Sequence, residues 1–72
     1  MSLNLSALTK DEVDFYLERC NFTDEEEEIF LLRTRGKSID SISVETNLCS
    51  RTIGRRLRDI KNKVQKVNKA HT

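Results

Sequence analysis

Apolar positions recur along the early part of the chain with the spacing of an amphipathic helix. One face of this helix carries four apolar residues: Val13, Tyr16, Leu17 and Cys20. Thr9 followed by Glu12 is a capping box, a pairing that satisfies free backbone N–H groups where a helix begins. The pattern therefore predicts a leading helix within residues 9–21. Phe15 lies off the apolar face, so it covers another part of the bundle, contacts a partner or simply stays exposed.

Two further helices follow, each with its own start signal. Thr23 and Glu26 repeat the capping box, and Gly36 supplies a left-handed position that ends the second helix. The residues predicted to be buried in this helix are Ile29, Phe30 and Leu32. Ser38 caps a short third helix. The positions predicted to face the core from it are Ile39 and Ile42, with Val44 as a weaker match.

The last helix carries the longest apolar stripe. Its members recur every three or four residues: Ile53, Leu57, Ile60, Val64 and Val67. We predict a helix from about Arg51 to Val67, so that residues 23–67 form a tri-helical core and residues 68–72 form a flexible tail. Asn47 tolerates positive φ and precedes this helix closely, so it predicts a tight turn.

These elements predict an all-α fold, a small four-helix domain that contains a helix-turn-helix. The chain has 72 residues, no proline and two glycines, which favours a single domain over residues 1–72 with mostly local contacts. Two helices joined by so short a turn must cross steeply. Ser43 is small enough for a close crossing, and Leu48 and Ile53 are expected to fill the angle beneath it.

The formal net charge of +1 hides a strong asymmetry along the chain. Residues 1–50 hold five basic and eleven acidic side chains, a balance of −6. Residues 51–72 hold eight basic side chains and one acidic side chain, a balance of +7. Such a division predicts a polyanionic partner for the C-terminal part of the molecule.

The basic residues of the last helix have a defined direction. At about 100° per residue, the step of a 3.6-residue turn, an inward apolar stripe places Arg51, Arg55 and Arg58 on the opposite face. A planar guanidinium can bind guanine O6 and N7 together, so we predict that Arg51 and Arg55 contact base edges of DNA. The predicted phosphate contacts are Ser50, Thr52, Arg56, Arg58 and Lys61. The alternative is a basic helix that is merely solvated.

Other cations and the glycine of this helix carry weaker signals. Gly54 costs about 1 kcal/mol relative to alanine in a helix interior. Close approach to DNA would explain it, and a neutral substitution would explain it equally well. Three lysines lie toward the helix C-terminus, where the helix dipole alone favours cations: Lys63, Lys66 and Lys69.

A run of five acidic residues begins the second helix, from Asp24 to Glu28. Acidic side chains are favourable at a helix N-terminus, and five consecutive helical residues cannot all converge on one ion. We therefore predict a solvated acidic face here rather than a metal site. Repulsion of DNA, or a contact with a polymerase, is the alternative role for these acids.

Several function classes lack their sequence signals. A nucleophile–base pair and a phosphate-binding loop are both missing, so we expect no enzyme and no cofactor. No segment approaches the ~20 apolar residues that span a bilayer, and the first residues lack the pattern of a signal peptide. Cys20 and Cys49 are too few for a disulfide framework, and they lack metal-ligand spacing. We expect a cytoplasmic protein with reduced thiols, no bound metal and no membrane partner.

Residues 22–64 resemble the helix-turn-helix shared by LuxR/GerE-type regulators and region four of bacterial sigma factors. The positions that match are Phe22-Thr23 for the Leu-Thr opening, Gly36 for the glycine, Ile42-Ser43 for the Ile-Ala pair and Thr52-Ile53 for the Thr-Val pair. Cys49 stands where these families carry a capping serine, so we expect the cap and the helix start to move to Ser50. Gly54 replaces a frequent lysine of LuxR-type domains, and that DNA contact is therefore not carried over.

The resemblance implies sequence-specific binding of double-stranded DNA in transcription, with the last helix in the major groove. A small bacterial or phage regulator and a sigma-like module that contacts RNA polymerase both stay open, as does an adaptor that binds only protein. One copy offers a small footprint on DNA, so a homodimer is a further hypothesis. Its predicted surface is either Val64 with Val67 or the leading helix.

Overall fold

The computed structural model describes residues 5–71, and the side chains of residues 5–68. It contains a short 3₁₀ turn over Leu5–Ala7 and four α-helices. The helices are α1 (Lys10–Arg19), α2 (Asp24–Thr34), α3 (Ile39–Thr46) and α4 (Ser50–His71). No strand occurs in the described part of the chain. The predicted all-α, four-helix fold is confirmed.

Both predicted capping boxes are present. In α1 the Glu12 backbone N–H donates to Thr9 Oγ1 at 3.2 Å, and Glu12 Oε1 accepts from the Thr9 N–H at 3.0 Å. Thr23 and Glu26 make the same reciprocal pair with the same two distances at the start of α2. Each box satisfies two backbone donors that the helix itself leaves without partners, which explains why the helices begin at these points.

The connection between α3 and α4 is the predicted tight turn. Asn47 lies in the left-handed region with φ of 62°, so the chain reverses direction directly after Thr46. Ser43 Oγ donates a hydrogen bond to the Leu48 carbonyl oxygen, which ties the turn back onto α3. Only residues 47–49 separate the two helices. Gly36 is also left-handed, with φ of 84°, and follows the end of α2 as predicted.

The core lies between α2 and its neighbours, since α2 packs against the 3₁₀ turn and against the other three helices. The largest fully buried side chains come from α2, α3 and α4: Phe30, Ile29, Ile42, Ile53, Ile60 and Val64. The apolar stripe predicted for the last helix is buried from Ile53 to Val64, and Val67 is half-buried against the same core. This stripe holds α4 in a fixed orientation on the domain.

Two apolar residues behave differently from their predicted positions. Ile39 was predicted to face the core, but it is 37% exposed. Ile39 lies in the first turn of α3, where it lines a shallow groove together with Gly54 of α4. Leu5 was not predicted to contribute to the core, yet it is only 2% exposed and packs against α2 through the 3₁₀ turn. Val44 is 81% exposed and does not contribute to the core.

Of the alternatives predicted for Phe15, the structure shows the first, which is packing against another part of the bundle. Its ring is half-buried against the core. It packs nearly edge-on against Tyr16, with 5.4 Å between the ring centroids and an interplanar angle of 73°. The Arg19 guanidinium lies over the Phe15 ring, 5.3 Å from its centroid.

The last helix is longer than predicted at both ends. It begins at Ser50 rather than near Arg51, and it continues to His71 rather than ending at Val67. No glycine or proline follows Gly54, so the helix meets no residue that would break it. The predicted flexible tail of residues 68–72 is helical as far as His71, and Thr72 lies outside the described residues.

Candidate nucleic-acid interface

The seven residues predicted to contact DNA all lie within residues 50–61 of α4. Arg51, Arg55 and Arg58 are exposed, as the helical wheel predicted. Ser50 and Lys61 are exposed as well. Thr52 is half-buried, and Arg56 is exposed but bound to another helix, so these two differ from the rest. The surface formed by Arg51, Arg55 and Arg58 is called the arginine face below.

The helix start that presents this face is capped by Cys49, not by Ser50 as predicted. The Ile53 N–H donates to the Cys49 carbonyl oxygen at 3.0 Å, which is the first hydrogen bond of the helix. Cys49 Sγ also lies 3.1 Å from Thr52 Oγ1, within hydrogen-bond distance of that hydroxyl. These bonds from Thr52 lower the pKa of the Cys49 thiol. Ser50 is consequently the first helical residue, and the Thr52 hydroxyl already has a partner.

The guanidinium groups of the arginine face have no carboxylate partner within residues 5–68. Arg51 and Arg55 are separated by four residues and Arg55 and Arg58 by three, which places their side chains as neighbours on the helix surface. Arg55 and Arg58 also line a shallow polar groove that Thr52, Arg56 and Asp59 complete. The face therefore offers several unneutralised planar donors along about two helical turns.

The flank of α4 that faces α2 has the opposite character. Arg56 Nε donates to Glu25 Oε1, and this hydrogen bond raises the pKa of Arg56 above its usual value. Lys63 Nζ donates to Glu26 Oε1 at 2.6 Å and lies 5.9 Å from the centroid of the Phe22 ring. Cations from α4 thus meet acids from the start of α2, and we call these two ion pairs the α2–α4 clamp.

Glu26 is the most buried charged residue of the clamp. Its side chain is 7% exposed, and burial alone raises its pKa. The hydrogen bond from Lys63 and the bonds from Thr23 outweigh that effect and hold the pKa of Glu26 below its usual value. The same carboxylate closes the capping box of α2. The Glu26 side chain therefore both caps the start of α2 and binds α4 through Lys63.

The clamp corrects two predictions made from the sequence. The acidic run was predicted to be a solvated face, but Glu26 is buried and bound to α4, and Glu25, although 41% exposed, is also bound to α4. The other three acids of the run are exposed, as predicted: Asp24, Glu27 and Glu28. Lys63 was attributed to the helix dipole, whereas it binds a buried carboxylate. The paired residues stand 31 and 37 positions apart in the chain, so no local spacing could have indicated them.

One surface proposed for a homodimer is also corrected. Val64 is fully buried in the core of the monomer, so it is not available to a second copy. Val67 is half-buried against the same core. The exposed part of α1 is unaffected by this finding.

Within the described residues, no cluster of histidine, cysteine or carboxylate side chains has the arrangement of a metal site. No helix there is long and apolar enough to cross a membrane. Cys20 lies in the core, where burial raises the pKa of its thiol.

Comparison with known proteins gives no relative. No protein-family model, no curated protein and no solved structure matches this chain at a significant level. The resemblance to LuxR/GerE-type regulators and sigma region four thus stays a prediction from the sequence. Any function assigned to the arginine face rests on its own geometry and charge.

Proposed function

We propose that this chain binds duplex DNA sequence-specifically as a small bacterial or phage transcription regulator, with α4 in the major groove. The observation that carries the proposal is the arginine face. Its three guanidinium groups are exposed and without carboxylate partners among the described residues, on a helix whose opposite side is buried. The buried apolar stripe holds these side chains in a fixed register, which base recognition requires.

The dimensions of α4 suit this role. An α-helix with its side chains is about 10–12 Å wide, and the major groove of B-DNA is about 12 Å wide. The turn at Asn47 and the bond from Ser43 to Leu48 hold the start of α4 against α3. In helix-turn-helix proteins the N-terminal part of the second helix reads the bases. Arg51 and Arg55 occupy that part of α4.

Each exposed residue then has a distinct contribution. Arg51 and Arg55 bind guanine edges, each through two parallel hydrogen bonds. Ser50, Arg58 and Lys61 bind phosphates on either side of the groove and set the register of the helix. Thr52 contributes to phosphate binding only if its hydroxyl changes partner, since it already bonds to Cys49. Arg56 must leave Glu25 before it can contact DNA through Nε.

A protein-interaction adaptor, for example a sigma-like module that contacts RNA polymerase, is the second candidate. The observation that favours it is the exposed apolar surface of α3, where Val44 is 81% exposed and Ile39 is 37% exposed. Exposed apolar side chains are common singly, so this surface is a weaker signal than the arginine face. An adaptor of this kind would not need duplex DNA at all.

The decisive experiment compares the wild type with the double variant Arg51→Ala/Arg55→Ala in titrations against duplex DNA. We expect the wild type to bind at 50 mM salt and to weaken steeply at 200 mM, because each phosphate contact releases counterions. The duplex should carry the preferred site selected from a random pool by the wild type. Loss of two bidentate contacts, each worth about 1–3 kcal/mol, should then weaken binding at least tenfold.

Arg35→Ala/Lys37→Ala is the matched control, since it removes two exposed cations outside α4. We expect this control to keep most of the wild-type affinity. Circular dichroism must show that each variant keeps its helices. A wild type that binds no duplex at 50 mM salt would exclude the DNA-binding function and favour the adaptor. A palindromic site in the selected pool, together with a dimer in sedimentation on DNA, would support the homodimer.

A further inference from the structure

We propose that Glu25 competes with DNA for Arg56 and thereby limits how tightly α4 binds phosphate. This inference rests on the proposed DNA binding of α4. It adds a regulating contact from α2, an element that the proposed interface does not otherwise include. The competition takes place at one guanidinium, which either binds the carboxylate of its own chain or a phosphate of the nucleic acid.

Position and pairing distinguish Arg56 from the other arginines of α4. Arg56 alone among them forms an ion pair within the described residues, through Nε to Glu25 Oε1. It also lines the shallow groove that contains Arg55 and Arg58, so it borders the arginine face. The same guanidinium therefore belongs to the clamp and to the edge of the proposed interface. No other charged side chain in residues 5–68 both belongs to the clamp and lines this groove.

The exposure of this pair makes the exchange feasible. The Arg56 side chain is 46% exposed and the Glu25 side chain is 41% exposed. Exposed ion pairs contribute little to stability and are screened by salt. The Glu26–Lys63 pair differs, since Glu26 is buried and would lose the one cation that pairs with it in residues 5–68 if Lys63 moved. Arg56 can thus leave its carboxylate without disturbing the core, whereas Lys63 cannot.

Competition has a measurable consequence for DNA binding. When Arg56 moves to a phosphate, it releases counterions but abandons Glu25, whose negative charge then faces the DNA backbone. The net gain from Arg56 is therefore small in the wild type. Replacement of Glu25 by glutamine removes the competing charge, and Arg56 becomes a full phosphate contact. Each added phosphate contact steepens the dependence of log K on log salt by about 0.9.

The test measures duplex binding of Glu25→Gln across a salt series. We expect the affinity at 100 mM salt to rise roughly fivefold and the salt slope to steepen by about one unit. Glu28→Gln is the matched control, because Glu28 is an exposed acid one turn further along α2 with no ion pair among the described residues. It removes the same charge from the same helix. We expect less than a twofold change in affinity for this control.

A double-variant cycle shows whether the effect passes through Arg56. We expect Glu25→Gln to change affinity no more than Glu28→Gln does when both are introduced into the Arg56→Ala background. An equal gain with and without Arg56 would overturn the competition, because the gain would then come from net charge alone. Weaker binding of Glu25→Gln than of the wild type would also overturn it, since Glu25 would then orient Arg56 toward DNA.

The outcomes for the two proposals are separable. If the wild type binds duplex DNA with a steep salt slope and Glu25→Gln matches it, the competition is wrong and the DNA-binding function stands. If neither protein binds duplex DNA at low salt, both proposals are wrong. Circular dichroism of Glu25→Gln confirms the fold in either case, and the exposed position of this pair predicts an unchanged helix content.

Discussion

The two sides of α4 that carry cations differ in whether those cations are paired with carboxylates. On the arginine face, Arg51, Arg55 and Arg58 project from the domain and have no carboxylate partner among the described residues. On the flank toward α2, Arg56 and Lys63 bind Glu25 and Glu26. Both sets belong to one helix and have similar side chains. Whether a cation is available to a polyanion therefore depends on which neighbour packs beside it, and not on the charge of the helix.

The flank also shows why an acidic run can be structural. The first turn of α2 favours negative charge because of the helix dipole, and Glu26 additionally closes the capping box. Once α4 packs alongside, two of these acids become partners for its cations. Part of the negative charge of residues 1–50 is thus neutralised by ion pairs within the domain. The positive charge of the arginine face is not neutralised in this way.

The largest effect is expected where the apolar stripe holds α4 in place. Ile60→Ala should lower the free energy of unfolding by about 2–5 kcal/mol, because Ile60 is fully buried and the change leaves a cavity. Arg58→Ala, two residues away on the arginine face, should change it by less than about 0.5 kcal/mol. Urea unfolding followed by circular dichroism measures both.

If Ile60→Ala does not fold, Ile60→Val provides the same comparison on a smaller scale. Its expected cost is about 0.5–1.5 kcal/mol, which a domain of this size should tolerate. If the valine variant, the Arg58 variant and the wild type were equally stable, burial of the apolar stripe would not be what holds α4 on the domain.

An intermediate effect is expected at the buried end of the clamp. Lys63→Met should cost about 1–3 kcal/mol, because it leaves the Glu26 carboxylate buried without its cation. Lys66→Met is the control on the same helix, since Lys66 is exposed and forms no ion pair among the described residues. We expect the control to remain within about 0.5 kcal/mol of the wild type in urea unfolding.

Acid should abolish the difference between Lys63→Met and the wild type. The folded-state pKa of Glu26 lies below its usual value of 4.5, so its pairing stabilises the fold above that pH. The contribution decreases as pH falls through the lowered pKa, where the carboxylate becomes protonated. Unfolding experiments over a series of decreasing pH values should therefore show a large difference at pH 7 that declines as the pH falls below the usual value. A difference that stays constant with pH would show that Lys63 stabilises by packing alone.

The smallest effect is expected at Gly54, next to the arginine face. A Cβ added there meets no atom within 4 Å, so Gly54→Ala should stabilise α4 by about 0.5–1 kcal/mol. Thermal unfolding measures this gain. DNA titration of the same variant separates the two interpretations of the glycine. Unchanged affinity indicates a neutral substitution, and weaker binding by a more stable protein indicates close approach of DNA.

The start and stop signals of the helices could be predicted from the sequence because they act over a few residues. Thr9 with Glu12 and Thr23 with Glu26 form the expected capping boxes, and Asn47 takes the expected left-handed turn. The cap of α4 was predicted wrongly at Ser50, since Ser50 is already helical and the Cys49 carbonyl oxygen accepts the first backbone hydrogen bond of the helix. Cysteine is not among the residues usually preferred at this position, so residue preferences pointed to the neighbouring serine.

Burial was predictable where a long helix repeats its apolar positions, and it was less predictable in the shorter elements. Ile53, Leu57 and Ile60 are buried as their spacing indicated. Ile39 is partly exposed and lines a groove with Gly54, Leu57 and Lys61 of α4. Leu5 is buried although it belongs to no regular helix, and its burial depends on a turn that folds back onto α2.

The amino-acid sequence by itself determined the four helices, the tight turn before α4 and the outward direction of its arginines. These features follow from capping, from backbone preferences and from a period of 3.6 residues, all of which act between near neighbours in the chain. Tertiary structure alone decided which cations remain available. Glu25 meets Arg56, and Glu26 meets Lys63, across 31 and 37 residues, only because α2 and α4 pack side by side.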